Sequence, residues 1–563
     1  MEKIRVYCTN NRQYYELEPR TTLKQLLDIM DYDWKGMTPL AAYVNHDLKE
    51  LGFDLYFAAT VTFLTYEDED GRRCYFRSVD FLCQKAVHEL FPDRILCFDY
   101  HLPNGQYGEL RKREDFSQTV PMTEKELGAL KKRMWELVKQ DIPFVKTKTT
   151  NAEAVKLFLS HGQTSKAKLA ETVGNFFVTL YYLDGYGDYF YGPLVASTGY
   201  LDRWRIALYS EGFCLQSPEP VRPFNIPEQK YQKKLAEIFE ENSNWCNIIG
   251  ARDIATINEA INKGYGNMVI SLAEALHEKK YSIIADKIGE RRKDVKLVLI
   301  AGPSSSGKTT TSKRIALQMK VLGLNPILMG MDDYFVDREQ TPKDENGDYD
   351  FESVHALNLD MLNEHLGKLF AGEEVTLPKF DFTTGKGSLT GPTIRLNKDD
   401  VLVMEGIHAL NPLLTERLEA DCKFKVFVSA LTSLSIDENS YISTTDNRKL
   451  RRMVRDFNFR GYSAEETIGR WPSVVRGEKR NIFPHQENAD IMFNSFLLYE
   501  FPLLKYYAEP LLRRISPMSP VYAESLRLIN FLSRIVSLNP EEQKAIPPTS
   551  VMREFIGNST FTY

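Results

Sequence analysis

Only seven of the 563 residues are cysteine (Cys8, Cys74, Cys83, Cys97, Cys214, Cys246, Cys422), and no two of them form a C-x-x-C pair. That scatter argues against a cysteine-rich zinc site and suits a reducing compartment. No apolar run approaches the roughly 18 residues of a membrane span. The opening Met-Glu-Lys-Ile-Arg-Val lacks the apolar core of a secretory signal. An excess of one charge is missing as well: 71 basic residues meet 77 acidic ones, a net −6. No global positive field therefore draws the chain to nucleic acid or membranes, although a local basic patch stays open. A 43% hydrophobic and 26% charged composition is that of an ordinary globular protein, and the length predicts several domains. The expectation is a cytoplasmic protein with no membrane partner.

One stretch stands out against these absences. Val295 to Ile300 is a short apolar run that reads as a buried parallel strand. It leads into Gly302-Pro303-Ser304-Ser305-Ser306-Gly307-Lys308-Thr309-Thr310, which carries the P-loop pattern Gly-x-x-x-x-Gly-Lys-Thr. Lys308 onward reads as a helix with Ile315, Met319 and Leu322 on one side, stopped by Gly323 before a second apolar run, Ile327–Met329. Gly302 and Gly307 permit the backbone angles that close N–H groups around phosphate oxygens, next to a helix N-terminus that favours negative charge. Lys308 supplies charge to the β/γ-phosphates, and the Thr309 hydroxyl can ligate Mg²⁺. The nine residues from Gly302 to Thr310 are the predicted ATP site.

Past the second strand run come Met331-Asp332-Asp333-Tyr334-Phe335. A carboxylate at the C-terminal end of a parallel strand points into the crevice where open α/β sheets bind ligands. There it can accept the proton of an acceptor hydroxyl and help hold Mg²⁺; helix capping is the competing role for both aspartates, Asp333 above all. Glu405, closing the apolar run Val401–Met404, is placed to serve Mg²⁺ in the same way. Arg451, Arg452 and Arg455 read as one face of a helix with Arg460 beyond it, and guanidinium groups suit dispersed phosphate charge in a mobile lid.

These residues resemble the uridine kinase family and, more distantly, phosphoribulokinases. Asp332-Asp333-Tyr334-Phe335 resembles the family's Asp-x-(Tyr/Phe)-(Tyr/Phe), and Tyr349-Asp350-Phe351-Glu352 its ribose-holding Tyr/Phe-Asp-His-Pro. Pro378-Lys379-Phe380-Asp381-Phe382 resembles the strand whose aromatics enclose the base. Glu405-Gly406-Ile407 matches the end of the third core strand, and Arg451 to Gly461 the Arg-Arg-x-x-Arg-Asp-x-x-x-Arg-Gly lid. The resemblance implies transfer of the γ-phosphoryl of ATP to a nucleoside 5′-hydroxyl. Asp332 would be the base, with Lys308, Arg452 and Arg455 stabilising phosphate charge, and Thr309, Glu405 and Asp332 serving Mg²⁺. Asp350, Tyr334, Phe380, Phe382, Arg460 and His408 would meet the acceptor, although a structural role for His408 is equally compatible. The family's base-reading histidine aligns with Gly385, an arginine after the lid with Tyr462, and a following glutamine with Arg470. Uridine or cytidine specificity is therefore not implied.

The first half resembles threonyl-tRNA synthetases. Residues 1–66 run strand, strand, helix, strand, strand, and Val44-Asn45-His46-Asp47 resembles a turn of their TGS modules. Phe76 to Pro92 and Asp188 to Val195 resemble two segments of the synthetase's second additional (editing) domain. Its four metal-type or editing side chains fall here on Arg77, Phe81, Phe190 and Leu194, so neither zinc binding nor hydrolysis carries over. His88, His101 and His161 share no metal-binding spacing. The runs Arg111 to Asp115 and Lys131 to Arg133 read as solvated helix faces.

The expected organisation is a TGS-like β-grasp domain (1–66), a degenerate editing-like domain (67–220), a helical linker (221–292), an α/β P-loop kinase domain with a mostly parallel sheet (293–500) and a helical extension (501–563) without chemistry of its own. ATP, Mg²⁺ and a small-molecule acceptor are the expected ligands. RNA contact through the first half and self-association remain open. Two alternatives also remain: a kinase of another small alcohol, phosphoribulokinase- or pantothenate kinase-like, and a nucleotide-regulated RNA- or ribosome-binding protein.

Overall fold

The structure, a computed structural model, describes residues 3–102, 105–219, 224–229, 231–343, 347, 349–381, 384–415 and 418–562. At the start, Ile4–Cys8 pairs antiparallel with Gln13–Leu17 and parallel with Ala59–Leu64. Ala41–Val44 and Asp47–Glu50 complete a five-stranded sheet. Helix Leu23–Ile29 starts at a capping box, with the Thr22 hydroxyl and the Gln25 side chain each bonding the other's backbone N–H. Asn45 and His46 both take positive φ (49° and 64°) and turn the hairpin between Ala41–Val44 and Asp47–Glu50.

The next region packs helix Glu69–Leu90 against the hairpin Arg94–Leu102/Gly105–Lys112 and helix Glu124–Gln140. The Arg111 run is not a helix face. Arg111 stands near the end of Gly105–Lys112, buried, and bonds Glu109 at 2.5 Å and Asp99 at 3.2 Å. Residues i and i+2 share one face of a strand, so Glu109 and Arg111 neutralise each other there.

The stretch expected as a helical linker holds three helices: Lys233–Ile249, Ile254–Asn262 and Gly266–Glu290. The third does more than link. Its Tyr281, Ile284 and Ile288 share a core with Val298, Ile300, Val426 and Val428 of the parallel sheet that precedes and follows the P-loop. It therefore covers one face of a sheet that needs both faces covered.

That sheet has the order Asn325–Gly330, Asp400–Glu405, Leu297–Ala301, Lys423–Ser429, Ile491–Asn494, with every neighbouring pair parallel. Leu297–Ala301 is buried at all five positions, which explains its unbroken apolar run. It has neighbours on both sides, so the loops after it, after Asn325–Gly330 and after Asp400–Glu405 open at one shared edge.

The lid helix Thr444–Phe459, helix Ala464–Asn481 and the tail helices Glu500–Leu512 and Tyr522–Leu532 pack around the largest buried cluster among the described residues. Beyond Pro540 the tail does not trail away. It turns back through the short helix Arg553–Ile556 onto the P-loop.

The two halves are joined by buried charge. Hairpin Ser435–Asp437/Ser440–Tyr441 of the second half reaches into the first. Lys166 Nζ lies 2.7 Å from Asp188 and 3.8 Å from Asp437, while Glu438 accepts the backbone N–H groups of Ser165 and Lys166 at 2.6 and 3.1 Å. No helix among the described residues is long and apolar enough to cross a membrane.

Candidate functional site

The loop after Leu297–Ala301 has the geometry its residue types predict. A Cβ on Gly302 would stand 2.0 Å from the Val428 carbonyl oxygen, so only glycine fits beside the neighbouring strand. Ser305 (φ 58°) and Gly307 (φ 82°) take left-handed angles, and helix Lys308–Val321 begins at Gly307 without a side-chain cap. Its N-terminus is thus an anion site. Lys308 Nζ donates to the Pro303 carbonyl at 3.1 Å, closing the loop on itself.

Thr309 and Glu405 meet as expected: the Thr309 hydroxyl donates to Glu405 Oε1 at 2.9 Å. Burial first, and the Asp332 charge second, push the Glu405 carboxyl up to about 7 against the pull of Lys308. Asp332 sits in the turn Met331–Tyr334 that ends strand Asn325–Gly330, so both carboxylates rise from adjacent parallel strands. Among the described residues no group of three His, Cys, Asp or Glu is arranged to hold a metal. Thr309, Glu405 and Asp332 supply a hydroxyl and two carboxylates facing one electropositive loop, a donor set suited to a hard divalent cation.

The four neighbouring arginines divide into two pairs. Arg451, expected on the lid's working face, is fully buried and pairs with Glu500, also donating to Ser495. Arg448, which the sequence did not single out, forks onto Glu478 (Nη2–Oε2 2.7 Å) and donates to the Ser304 carbonyl. Glu478 in turn accepts the Ser304 N–H at 3.0 Å. These pairs hold the loop from beneath. Arg452 and Arg455 do face the site: Arg452 reaches the Ser304 hydroxyl at 3.1 Å, and both pair with Asp456. Burial raises the Asp456 carboxyl, but Arg455, Arg452 and Arg460 together hold it below its ordinary value. Arg460 is pushed down to about 10, chiefly by the Arg455 charge and then by burial.

Where the resemblance would put the acceptor, Asp350 Oδ1 accepts the Glu352 N–H at 3.1 Å and shapes the turn. Phe380 packs on Phe335 (centroids 5.6 Å apart), with Phe351 and Tyr349 continuing the aromatic wall. Asp333 fixes this wall by accepting the Phe380 N–H at 3.2 Å, which replaces the helix-capping role considered for it. Phe382 lies outside the described residues. Tyr334 is no substrate contact: it is buried in the core, its hydroxyl 2.9 Å from His365 Nδ1. His408 is buried just past Glu405, and its ring is pushed down to about 4, first by burial. Gly385 accepts the Arg338 N–H, and Arg470 stacks on Tyr462 at 4.6 Å. Glu352 is an acid that sequence reasoning left without a role. Burial and then the Glu478 charge push it up to about 7, while Arg452 and Lys308 pull it down. Its only signal was its place beside Asp350; Glu478 and Arg448 gave none, since each reads as one more charge on a charged helix.

Residues 297–497 match the Phosphoribulokinase / Uridine kinase family. The uridine kinase of Anoxybacillus flavithermus is 31% identical over 202 residues, 36% of this chain and 86% of that protein. Those of Staphylococcus haemolyticus (31% over 198 residues) and Halalkalibacterium halodurans (30% over 197) each align with 35% of this chain, covering 86% and 84% of their own lengths. Residues before 297 lie outside the family match.

Proposed function

Through residues 297–497 the chain belongs to the phosphoribulokinase/uridine kinase family, and on that premise we propose that it transfers the γ-phosphoryl of ATP to the 5′-hydroxyl of a nucleoside. The observation that carries this reading is the meeting of Thr309 with Glu405, with Asp332 on the adjacent strand end, at the mouth of a P-loop.

Phosphoryl transfer leaves little covalent work to the protein, so positioning and charge do most of it. The loop amides and Lys308 hold the phosphates. Asp332 accepts the proton of the attacking hydroxyl as the new O–P bond forms and the β–γ bridging bond breaks. Arg452 and Arg455 swing from Asp456 to the equatorial oxygens of the transferring group. Asp350 orients the sugar, and Phe380 with Phe335 and Phe351 flanks the base. Thr309 and Glu405 would hold Mg²⁺, which when bound neutralises charge between the β- and γ-phosphates. A divalent cation held beside Glu405, which burial and Asp332 push up to about 7, would lower its carboxyl towards ordinary acidity.

We also propose that the first half is a synthetase-derived scaffold without catalytic chemistry. Phe81 and Phe190 pack against each other with tilted rings, centroids 4.7 Å apart, Leu194 is buried, and Arg77 donates to the Pro193 carbonyl at 3.0 Å. The four altered positions thus meet in space and are filled by packing. His88 and His161 come together against Tyr186, while His101 stacks on Tyr441, consistent with aromatic packing. Work in the cytoplasm, beside the ATP pool, is part of the same proposal.

Substrate-dependent ADP release across a panel of nucleosides and sugars tests the function; no nucleoside turnover would sink it. Asp332→Asn is expected to lower kcat by roughly 10²–10⁴ while ATP affinity stays within about three-fold. Surviving activity would assign the base elsewhere.

A further inference from the structure

One carboxylate at the P-loop has no part in this transfer. Glu554, in the last short helix of the chain, accepts the Thr310 backbone N–H at 3.3 Å and the Thr310 hydroxyl at 2.7 Å, both through Oε2. That N–H belongs to the first turn of the P-loop helix, where exposed amides and the helix dipole hold a phosphate anion. The chain thus places an anion of its own where the donor's phosphates would bind.

The contact is built in on several sides. Val551 and Phe555, which flank Glu554, are fully buried. Val551 Cγ2 comes so close to the loop that a Cβ on Gly307 would stand 2.3 Å from it. The Arg451 guanidinium lies 5.2 Å over the Phe555 ring. Asn458 of the lid helix donates to the Phe555 carbonyl at 3.1 Å, and Lys313 of the P-loop helix donates to the Thr562 carbonyl. The Glu554 charge is also among those that Glu405 and Lys313 feel.

We propose that Glu554 sets the affinity for the donor nucleotide. The segment from Pro547 to Thr562 closes the P-loop helix terminus with its own carboxylate, and a nucleoside triphosphate binds as that carboxylate is released. The inference rests on the donor site proposed above and adds a competitor for it. Two anions cannot share one helix terminus without repulsion. Because Asn458 and Arg452 lie on the same lid helix, release of the tail and closure of the arginines over the phosphates act on one element.

Calorimetric titration of the full chain with Mg·ATP, native against Glu554→Gln, is the test. Glutamine keeps the side chain's shape and removes its charge. ATP is expected to bind the variant roughly ten-fold more tightly. In the native chain, saturating ATP is expected to speed tryptic cleavage after Arg553, a readout that stands even if the variant fails to fold. Equal or weaker binding by a folded Glu554→Gln protein overturns the proposal, and so does protection of Arg553 by ATP. If neither protein binds ATP at all, the donor reading falls and this proposal with it. Tight, equal binding by both defeats this proposal alone.

Discussion

Glu405 carries a conflict between stability and function. Its carboxyl ionises near 4.5 in an unfolded chain, but burial and Asp332 push it up to about 7 in the fold. Between those values the folded state holds a proton that the unfolded state has lost, so this group's contribution to stability falls as pH rises. Glu405→Gln is therefore expected to be more stable than the native chain at pH 8 by about 1–3 kcal/mol, with the gain shrinking towards pH 5. Its turnover is expected to collapse, because a neutral amide holds a hard divalent cation far more weakly than a carboxylate does. Melting curves at the two pH values, beside turnover at pH 8, check this; an equal or lower melting point at pH 8 would remove the buried-charge account. At this scale the sequence was most informative. The close approach at Gly302, the Thr309–Glu405 contact and the place of Asp332 at a strand end were legible because short motifs fix the local backbone. Tyr334 was misjudged because a motif fixes position in the chain, not the direction in which a side chain points.

The lid helix shows the same limit at the level of an element. Thr444–Phe459 carries Arg448 and Arg451 inward, and Arg452 and Arg455 towards the phosphates. Arg451→Met leaves Glu500 buried without its partner, an expected loss of about 3–5 kcal/mol. Arg452→Gln leaves the core intact, and its expected effect is a roughly 10–100-fold fall in kcat with little change in melting temperature. Comparing melting and kcat for the two variants separates these roles; similar profiles would show that the helix has no such division. Helical periodicity in the sequence identified the helix. It could not reveal which face is buried, because the deciding carboxylates, Glu478 and Glu500, lie on other helices.

Across the whole molecule, the halves behave as parts of one structure. Leu169 of the first half shares a core with the lid and tail helices, and the Lys166–Asp188–Asp437 group is buried between them. Arg73 of the first half reaches Glu524, which also pairs with Lys449 of the lid helix. Calorimetry is expected to show a single cooperative unfolding transition. Lys166→Met strands buried carboxylates and should lower that transition as a unit, by about 3–5 kcal/mol. Two separated transitions in the native chain would show that the halves fold independently.

The sequence by itself determined the phosphate-binding loop, the parallel kinase sheet and the acidic strand ends. Each follows from local rules: glycine where the backbone needs positive φ or close approach, unbroken apolar runs where both faces are covered, and carboxylates where strands stop. Only the tertiary structure decided that Gly266–Glu290 covers the kinase sheet, that Arg451 is a buried strut, and that Glu554 sits on the Thr310 amide. Those outcomes depend on contacts between residues tens to hundreds of positions apart. Burial and charge pairing at such separations are set by how the elements stack and leave no local pattern in the chain.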